Sequence, residues 1–185
     1  MTKTEARKLA KACRAAVDLH TVGHAMAGVL FTLPAWQHAD TVLAFASMPD
    51  EPDTADILRQ ALAEGKRLLL PRVLSRTEMD WVEITALSQL QPGAYGILEA
   101  PASLPAFDTA HLGDGALALI PCLATSPDGV RLGRGGGYYD RFLAHYKGKR
   151  LLVCPTAALL GDLPCEGWDV RFFPHEILTE KGILL

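Results

Sequence analysis

The sequence predicts an α/β domain built on a mostly parallel β-sheet. Two patterns carry that reading. Apolar runs at residues 41–46 (TVLAFA), 67–71 (RLLLP), 117–121 (LALIP) and 151–154 (LLVC) lack polar alternation, as strands covered on both faces do. The first two runs flank a helical stretch at 54–63, and a strand–helix–strand order calls for parallel neighbours. A chain of 185 residues, 49% hydrophobic and 21% charged, is long enough to bury one full core.

The first helix opens on Thr2-Lys3-Thr4-Glu5, a capping box in which Thr2 caps and Glu5 reaches back. It is expected to run to about Asp18, burying Leu9, Ala12, Cys13, Ala16 and Val17. Lys3 and Arg7 are four apart and share a face, with Lys11 and Arg14 nearby. That face is either solvated or folded over an anion, with Lys3 and Arg7 as the contacts. A second helix is expected from His20 to Leu33, stopped by Pro34. After the strand at 41–46, the loop 47–53 carries three acids and two prolines, and Asp53 is placed to cap the next helix. Gly65 closes that helix. Residues 79–84 (MDWVEI) alternate as a strand with one wet face, and 87–105 are turn-rich. A loop at 125–129 leads into a glycine stretch, and a helix is expected over 138–146. Residues 176–179 read as a final edge strand.

Net charge is −3 with a pI near 6.0, which argues against broad nucleic-acid or anionic-membrane binding. No apolar run approaches the roughly 20 residues of a membrane helix. The N-terminal stretch is charged and does not resemble a secretory signal, so a cytoplasmic protein is expected. Cys13, Cys122, Cys154 and Cys165 form no C-x-x-C pair and are read as reduced structural residues. His20 and His24 share a helix face, but no acid lies between them as a metal-site helix would require; they are read as solvated or helix-terminal.

The chemistry concentrates at 127–142 (PDGVRLGRGGGYYDRF). Glycines are costly to order and are kept where backbone must turn left-handed or approach something closely. Backbone N–H groups of such a loop attract phosphate, and Arg131 and Arg134 add forked donors. Asp140 follows as an oxygen ligand for a hydrated Mg²⁺. The plain alternative is a tight surface turn with solvated arginines. Neither a P-loop nor a dinucleotide fingerprint fits, since no G-K-[ST] follows and a tyrosine stands at the last glycine position.

RLGRGGGYYDRFL, after a short strand ending at Pro121, resembles the 5-formyltetrahydrofolate cyclo-ligase family. Lys3 and Arg7 are similar to its N-terminal K-x-x-x-R, and 50–54 to its E-x-D-T loop. Gly65-Lys66, Leu70-Pro71-Arg72-Val73, Tyr95-Gly96-Ile97-Leu98-Glu99 and the 163–169 segment (LPCEGWD) follow in the family's order. The resemblance covers nearly the whole chain. It implies a single three-layer domain over residues 1–185, with a fold like the NagB/RpiA/CoA-transferase group. It implies ATP- and Mg²⁺-dependent closure of 5-formyltetrahydrofolate to the 5,10-methenyl form, with the substrate's polyglutamyl length left open. The sequence does not give the oligomeric state; a monomer is expected because nothing demands a dimer. Lys3, Arg7, Arg131, Gly133, Arg134, Gly135, Gly136, Gly137, Tyr138, Tyr139 and Asp140 would surround ATP, and Asp140 would hold the metal. Glu51, Ala46 and Tyr139 would face the folate, and Arg134 and Glu51 would take part in the reaction. Trp81 is read as core, whereas Tyr139 is divided between core and site. Ala100 stands where the family has proline, and residues 154–159 lack the family's glutamine, which predicts one polar contact fewer in the site. Two rivals are a paralogue that binds without turnover and an unrelated sugar-phosphate enzyme. The discriminating feature is whether Lys3, Arg7 and the glycine loop meet at one pocket with Glu51 within a ligand's length.

Overall fold

A computed structural model describes residues 1–93 and 98–185. Helix α1 (Lys3–Ala15) starts on the expected capping box, with Glu5 N donating to Thr2 Oγ1 at 3.2 Å and Thr2 N to Glu5 Oε2 at 2.7 Å. It ends three residues early. Asp18 does not extend it but caps α2 (Leu19–Thr32), accepting from His20 N at 3.1 Å. Pro34 both stops α2 and starts the short α3 (Pro34–Gln37), where its fixed φ suits the first helical position.

Strand β1 (Thr41–Leu43) is shorter than expected. The chain then leaves the sheet at a loop locked by Thr54, whose Oγ1 donates to Phe45 O at 2.6 Å and accepts from Ser47 N at 3.1 Å. With Thr54 occupied, Asp53 supplies the cap of α4 (Ala55–Ala63), accepting from Ala55 N at 2.8 Å. Next come β2 (Arg67–Val73), β3 (Met79–Ile84), and the small pair β4 (Gln91–Pro92) and β5 (Leu98–Glu99). Strand β6 (Ala116–Pro121) precedes a hairpin that the sequence did not suggest, β7 (Ala124–Thr125) with β8 (Arg131–Leu132). Helix α5 (Tyr138–Leu143) is three residues shorter than expected; β9 (Lys149–Val153), β10 (Ile177–Thr179) and β11 (Gly182–Ile183) complete the chain.

The seven-stranded sheet has the order β11-β10-β9-β6-β1-β2-β3. Its inner pairs are parallel, and only the edge strands β3 and β11 run antiparallel. β10 is therefore not the edge strand expected of 176–179: the two-residue β11 covers it and is too short to leave a pattern in sequence. Continuous apolar runs arise because alternate residues enter two cores. Val42, Leu68, Leu117 and Leu119 face α2, α3 and α4, while Leu43, Leu69, Ala118 and Ile120 face α1 and α5. Trp81 is buried in the second core against Phe142, ring centroids 4.9 Å apart.

Helix α1 departs from its expected face. Leu9 is 44% exposed, and the inward positions are Ala6, Ala10 and Arg14, with Lys3 and Arg7 half-buried beside them. The small alanines let the helix approach β8 closely, and the polar residues of the same face line cavities rather than core.

His20 and His24 are exposed yet paired, His20 Nδ1 with Asp53 Oδ2 at 2.8 Å and His24 Nδ1 with Asp56 Oδ2 at 2.7 Å. The bond to Asp53, and then that carboxylate's charge, raise the His20 imidazole above its ordinary 6.5. A raised folded-state value means that stabilisation is complete below the unfolded value and lost as pH rises through the folded one. His20→Gln is therefore expected to lower Tm more at about pH 5.5 than at about pH 8.5. Equal losses at both pH values, by calorimetry, would contradict the linkage.

Candidate active site

In the sheet, β1 leads outward through α4 to β2, whereas β6 leads the other way to β9. Ligands of open α/β sheets sit beyond the strand ends where the order reverses. A cavity of about 660 Å³ opens there. Its walls include Phe45, Ala46, Met48 and Glu51 beyond β1, Pro121, Cys122 and Leu123 at the end of β6, Lys3 and Arg7 of α1, and the whole glycine loop. Every site residue expected from sequence lines this one cavity, so the two ends of the discriminating set coincide.

The loop's geometry explains its glycines. Gly135 (φ 102°) and Gly137 (φ 67°) are left-handed, and Gly137 is the N-cap of α5. Arg7 Nε donates to Gly133 O at 3.1 Å and so ties α1 to the loop. Among the described residues, Arg7 and Arg141 are the two cations of the cavity wall with no carboxylate partner; each is tied to the loop by one carbonyl, Arg141 Nη2 donating to Gly136 O at 2.7 Å.

Glu51 is anchored, its side chain only 7% exposed. Oε2 accepts from Met48 N at 3.0 Å, and Oε1 accepts from Arg134 Nη2 at 3.0 Å. Arg134 Nη2 also donates to Asp50 Oδ1 at 2.5 Å. Burial works against the Arg134 charge, but the bond to Asp50 and the field of Glu51 outweigh it and raise its pKa. Arg134 is thus held charged at the cavity, its fork turned toward acids.

Arg131 lies deeper than its sequence role implied. Its side chain is 5% exposed, with Nη2 on Asp140 Oδ2 at 2.7 Å and Nη1 on Pro121 O at 3.3 Å. Position explains this: Arg131 begins β8, and the hairpin turns it beneath the loop instead of outward. Tyr139 packs edge-on to Trp81 at 6.3 Å and also lines the cavity, so it serves both core and site. Burial, then the charge of Glu51, pushes its phenol far above the ordinary value against the pull of Arg131, which keeps it a neutral hydroxyl. Tyr138 reaches across the opening to donate to Ser75 O at 2.8 Å.

The 163–169 segment brings residues to which sequence reasoning gave no role. Lys3 Nζ pairs with Glu166 Oε2 at 2.6 Å and Asp169 Oδ2 at 2.9 Å. Burial alone would lower the Lys3 pKa, but the bonds to Glu166 and Asp169 raise it. For Asp169, burial is opposed by the Glu166 amide, Lys3 and the charge of Arg131, and its pKa falls. Trp168, 75% exposed, stands at the cavity mouth. The signal available was the spacing Glu166-x-x-Asp169, which the structure closes into a turn with Glu166 N on Asp169 Oδ2 at 2.8 Å.

The expected polar deficit at 154–159 does not reach the site. Cys154 and Ala158 are buried in the core beneath α1, and none of 154–159 lines the cavity. Ala100 is likewise core. Of the 95–99 motif, Leu98 and Glu99 line the cavity, and its first three residues lie outside the described residues.

A switch-point cavity whose one wall is glycine backbone with Lys3 and Arg7, and whose other is apolar around a buried carboxylate, marks an α/β protein with a small-molecule site. A family comparison makes this specific. The chain belongs to the 5-formyltetrahydrofolate cyclo-ligase family, a family of ligases, whose model matches residues 2–180. It is 31% identical over 154 residues to the 5-formyltetrahydrofolate cyclo-ligase of Escherichia coli K12, covering 80% of this chain and 84% of that protein. It is 30% identical over 152 residues to that of Mycolicibacterium smegmatis, covering 78% and 76%. The solved 5,10-methenyltetrahydrofolate synthetase of Aquifex aeolicus superposes with a TM-score of 0.83 at 26% identity, covering 100% of this chain and 92% of the other.

Proposed function

We propose that the chain closes 5-formyltetrahydrofolate to 5,10-methenyltetrahydrofolate with ATP and Mg²⁺, releasing ADP and phosphate. The observation that carries this is the convergence of Lys3, Arg7, the glycine loop, Arg134 and Glu51 on one cavity. The reading treats residues 1–185 as one unit, since the cavity draws its walls from both ends of the chain, and takes that unit to act as a monomer.

The residue types suit the chemistry. A formamide oxygen is a poor leaving group. Transfer of the γ-phosphoryl to it gives a phosphorylated iminium that the neighbouring nitrogen attacks, and phosphate departs. Phosphoryl transfer needs alignment and charge neutralisation more than covalent help. Lys3, Arg7 and the loop amides would hold the phosphates. Arg134 would leave its acids to meet the transferring group. Glu51, fixed by the Met48 amide, would orient the pterin or its amine by hydrogen bonds. Phe45, Ala46, Met48 and Leu70 offer an apolar wall for flat rings, and Tyr139 would act as a neutral hydroxyl and packing surface, not as a base.

Two carboxylates of the cavity, Asp140 and Asp169, could give oxygen ligands to an ion that takes the rest from phosphate and water. Asp140 would share its carboxylate with Arg131, and Asp169 would share its own with Lys3. Mg²⁺ there would neutralise charge on the phosphates. Asp140→Ala is expected to lower activity at least a hundredfold, roughly the cost of losing one electrostatic stabiliser, and to lower Tm because Arg131 loses its acid. Activity within threefold of wild type would remove Asp140 from the site.

The deciding experiment follows the near-ultraviolet absorbance of the conjugated methenyl product, with 5-formyltetrahydrofolate and Mg²⁺, with and without ATP. ATP-dependent growth supports the reading, and a flat trace beside an active control enzyme overturns it. The binding-only rival loses its sequence support, because the missing glutamine lies at 154–159, away from the cavity.

A further inference from the structure

Trp168 is an aromatic of the cavity that neither core uses. The protein has three tryptophans. Trp36 and Trp81 are buried, whereas Trp168 is 75% exposed and still lines the main cavity. It belongs to neither apolar core and pairs with no other ring among the described residues. Single apolar residues are common on surfaces, so exposure alone implies no ligand.

The segment that carries Trp168, however, is pinned on both sides of it. Glu166 N donates to Asp169 Oδ2 at 2.8 Å and closes a turn across Gly167 and Trp168. Lys3 Nζ bridges the same two residues, donating to Glu166 Oε2 at 2.6 Å and to Asp169 Oδ2 at 2.9 Å. The turn is thus fastened to α1, with the Asp169 side chain 13% exposed and the indole left open at the mouth. An aromatic on an anchored turn has less freedom to lose when a flat ring settles on it.

Its flank of the cavity decides which ring. Phe45, Ala46 and Met48 stand beyond β1, and Leu70 lies in β2. Residues 163–169 fall between β9 and β10, which lie on the other side of β6 from β1 and β2. The turn adjoins Lys3, and the same helix ties Arg7 to the glycine loop at Gly133 O. A ring on Trp168 would therefore neighbour the cations and the loop, not the apolar wall around Glu51.

We propose that Trp168 stacks on the base of the nucleotide whose phosphates Lys3, Arg7 and the glycine loop would hold. This rests on the proposed function only in that the phosphates lie on that wall. An indole face accepts any base, because every base has a π-face.

The test compares ATP with tripolyphosphate, which carries the phosphates without a base. Both are titrated into the full chain with Mg²⁺ and no folate, Kd is read by calorimetry, and Tm is checked for each protein. Trp168→Leu is expected to weaken ATP about tenfold, the scale of removing the aromatic beneath one stacked base. Its Kd for tripolyphosphate should change less than twofold, and Trp168→Phe should recover most of the loss for ATP. ATP should also quench an indole emission that Trp168→Leu lacks, since the other two tryptophans are buried. Equal weakening of both probes would mean that Trp168 only supports Lys3, and that result overturns the stacking, as does no weakening of either. Quenching by 5-formyltetrahydrofolate but not by ATP overturns it too, by giving the indole to the folate. Each of these leaves phosphate binding in place. Should wild type bind neither probe, the nucleotide reading of the cavity falls together with the stacking.

Discussion

Arg134→Ala is expected to lower kcat about a thousandfold, the scale of removing the arginine that stabilises a phosphoryl-transfer transition state. KM for ATP should rise far less, since Lys3, Arg7 and the loop amides would still hold the nucleotide. The reason lies in where the guanidinium sits. It is the glycine-loop cation that holds Glu51 in the cavity wall, and so stands where, on the proposed function, charge would build up as the phosphoryl group moves. Arg134→Lys should recover only part of the loss, because a point charge cannot replace a planar fork. Stability should fall by roughly 1–2 kcal/mol, since Glu51 is buried and loses its cation but keeps the Met48 amide. Turnover of Arg134→Ala within threefold of wild type, measured at saturating ATP, would show that another residue meets the reacting group.

Much of this arrangement was legible in the sequence for physical reasons. The sheet announced itself because strands covered on both faces must be apolar throughout. The glycine loop did so because Gly135 and Gly137 adopt backbone angles that other residues rarely adopt. What stayed hidden depends on contacts across long stretches of chain. Arg131 was placed at the site by its charge and does line the cavity; its bond to Asp140 beneath the loop was not legible, because the two-residue strand β8 leaves no periodic signal. Asp169 meets Lys3 across 166 residues, and no local pattern encodes that. The face of α1 was misassigned because a helix that walls cavities turns Lys3, Arg7 and Arg14 inward and leaves Leu9 outside. Ala100, which stands where the family has proline, and Ala158, within the stretch that lacks the family's glutamine, both belong to the core.

Gly129→Ala should be the most damaging added methyl among the described glycines, costing roughly 3 kcal/mol or more. Gly129 closes the β7–β8 turn, donating to Ser126 O at 2.9 Å and accepting from Phe172 N at 3.0 Å. Its φ is 84°, and a Cβ built on it would stand 1.6 Å from Phe172 O. That neighbour is backbone and cannot swing aside as a side chain could. Relief requires the segment at 171–172 to leave the hairpin, which breaks the Val130–Arg171 bridge and withdraws Phe172 from the second core. The hairpin also carries Arg131, so the glycine loop would lose its footing on Asp140 and activity should fall with stability. Gly65→Ala supplies the control. Gly65 has a similar φ of 70°, but a Cβ there meets nothing within 4 Å, so its cost is only the left-handed backbone, about 1 kcal/mol. Urea unfolding of the two variants separates strain from collision. Equal losses would mean that φ alone sets the cost and that the approach of Phe172 to the turn is looser than 1.6 Å implies. A loss at Gly129 at least twice that at Gly65 would establish the docked 171–172 segment as the support of the loop.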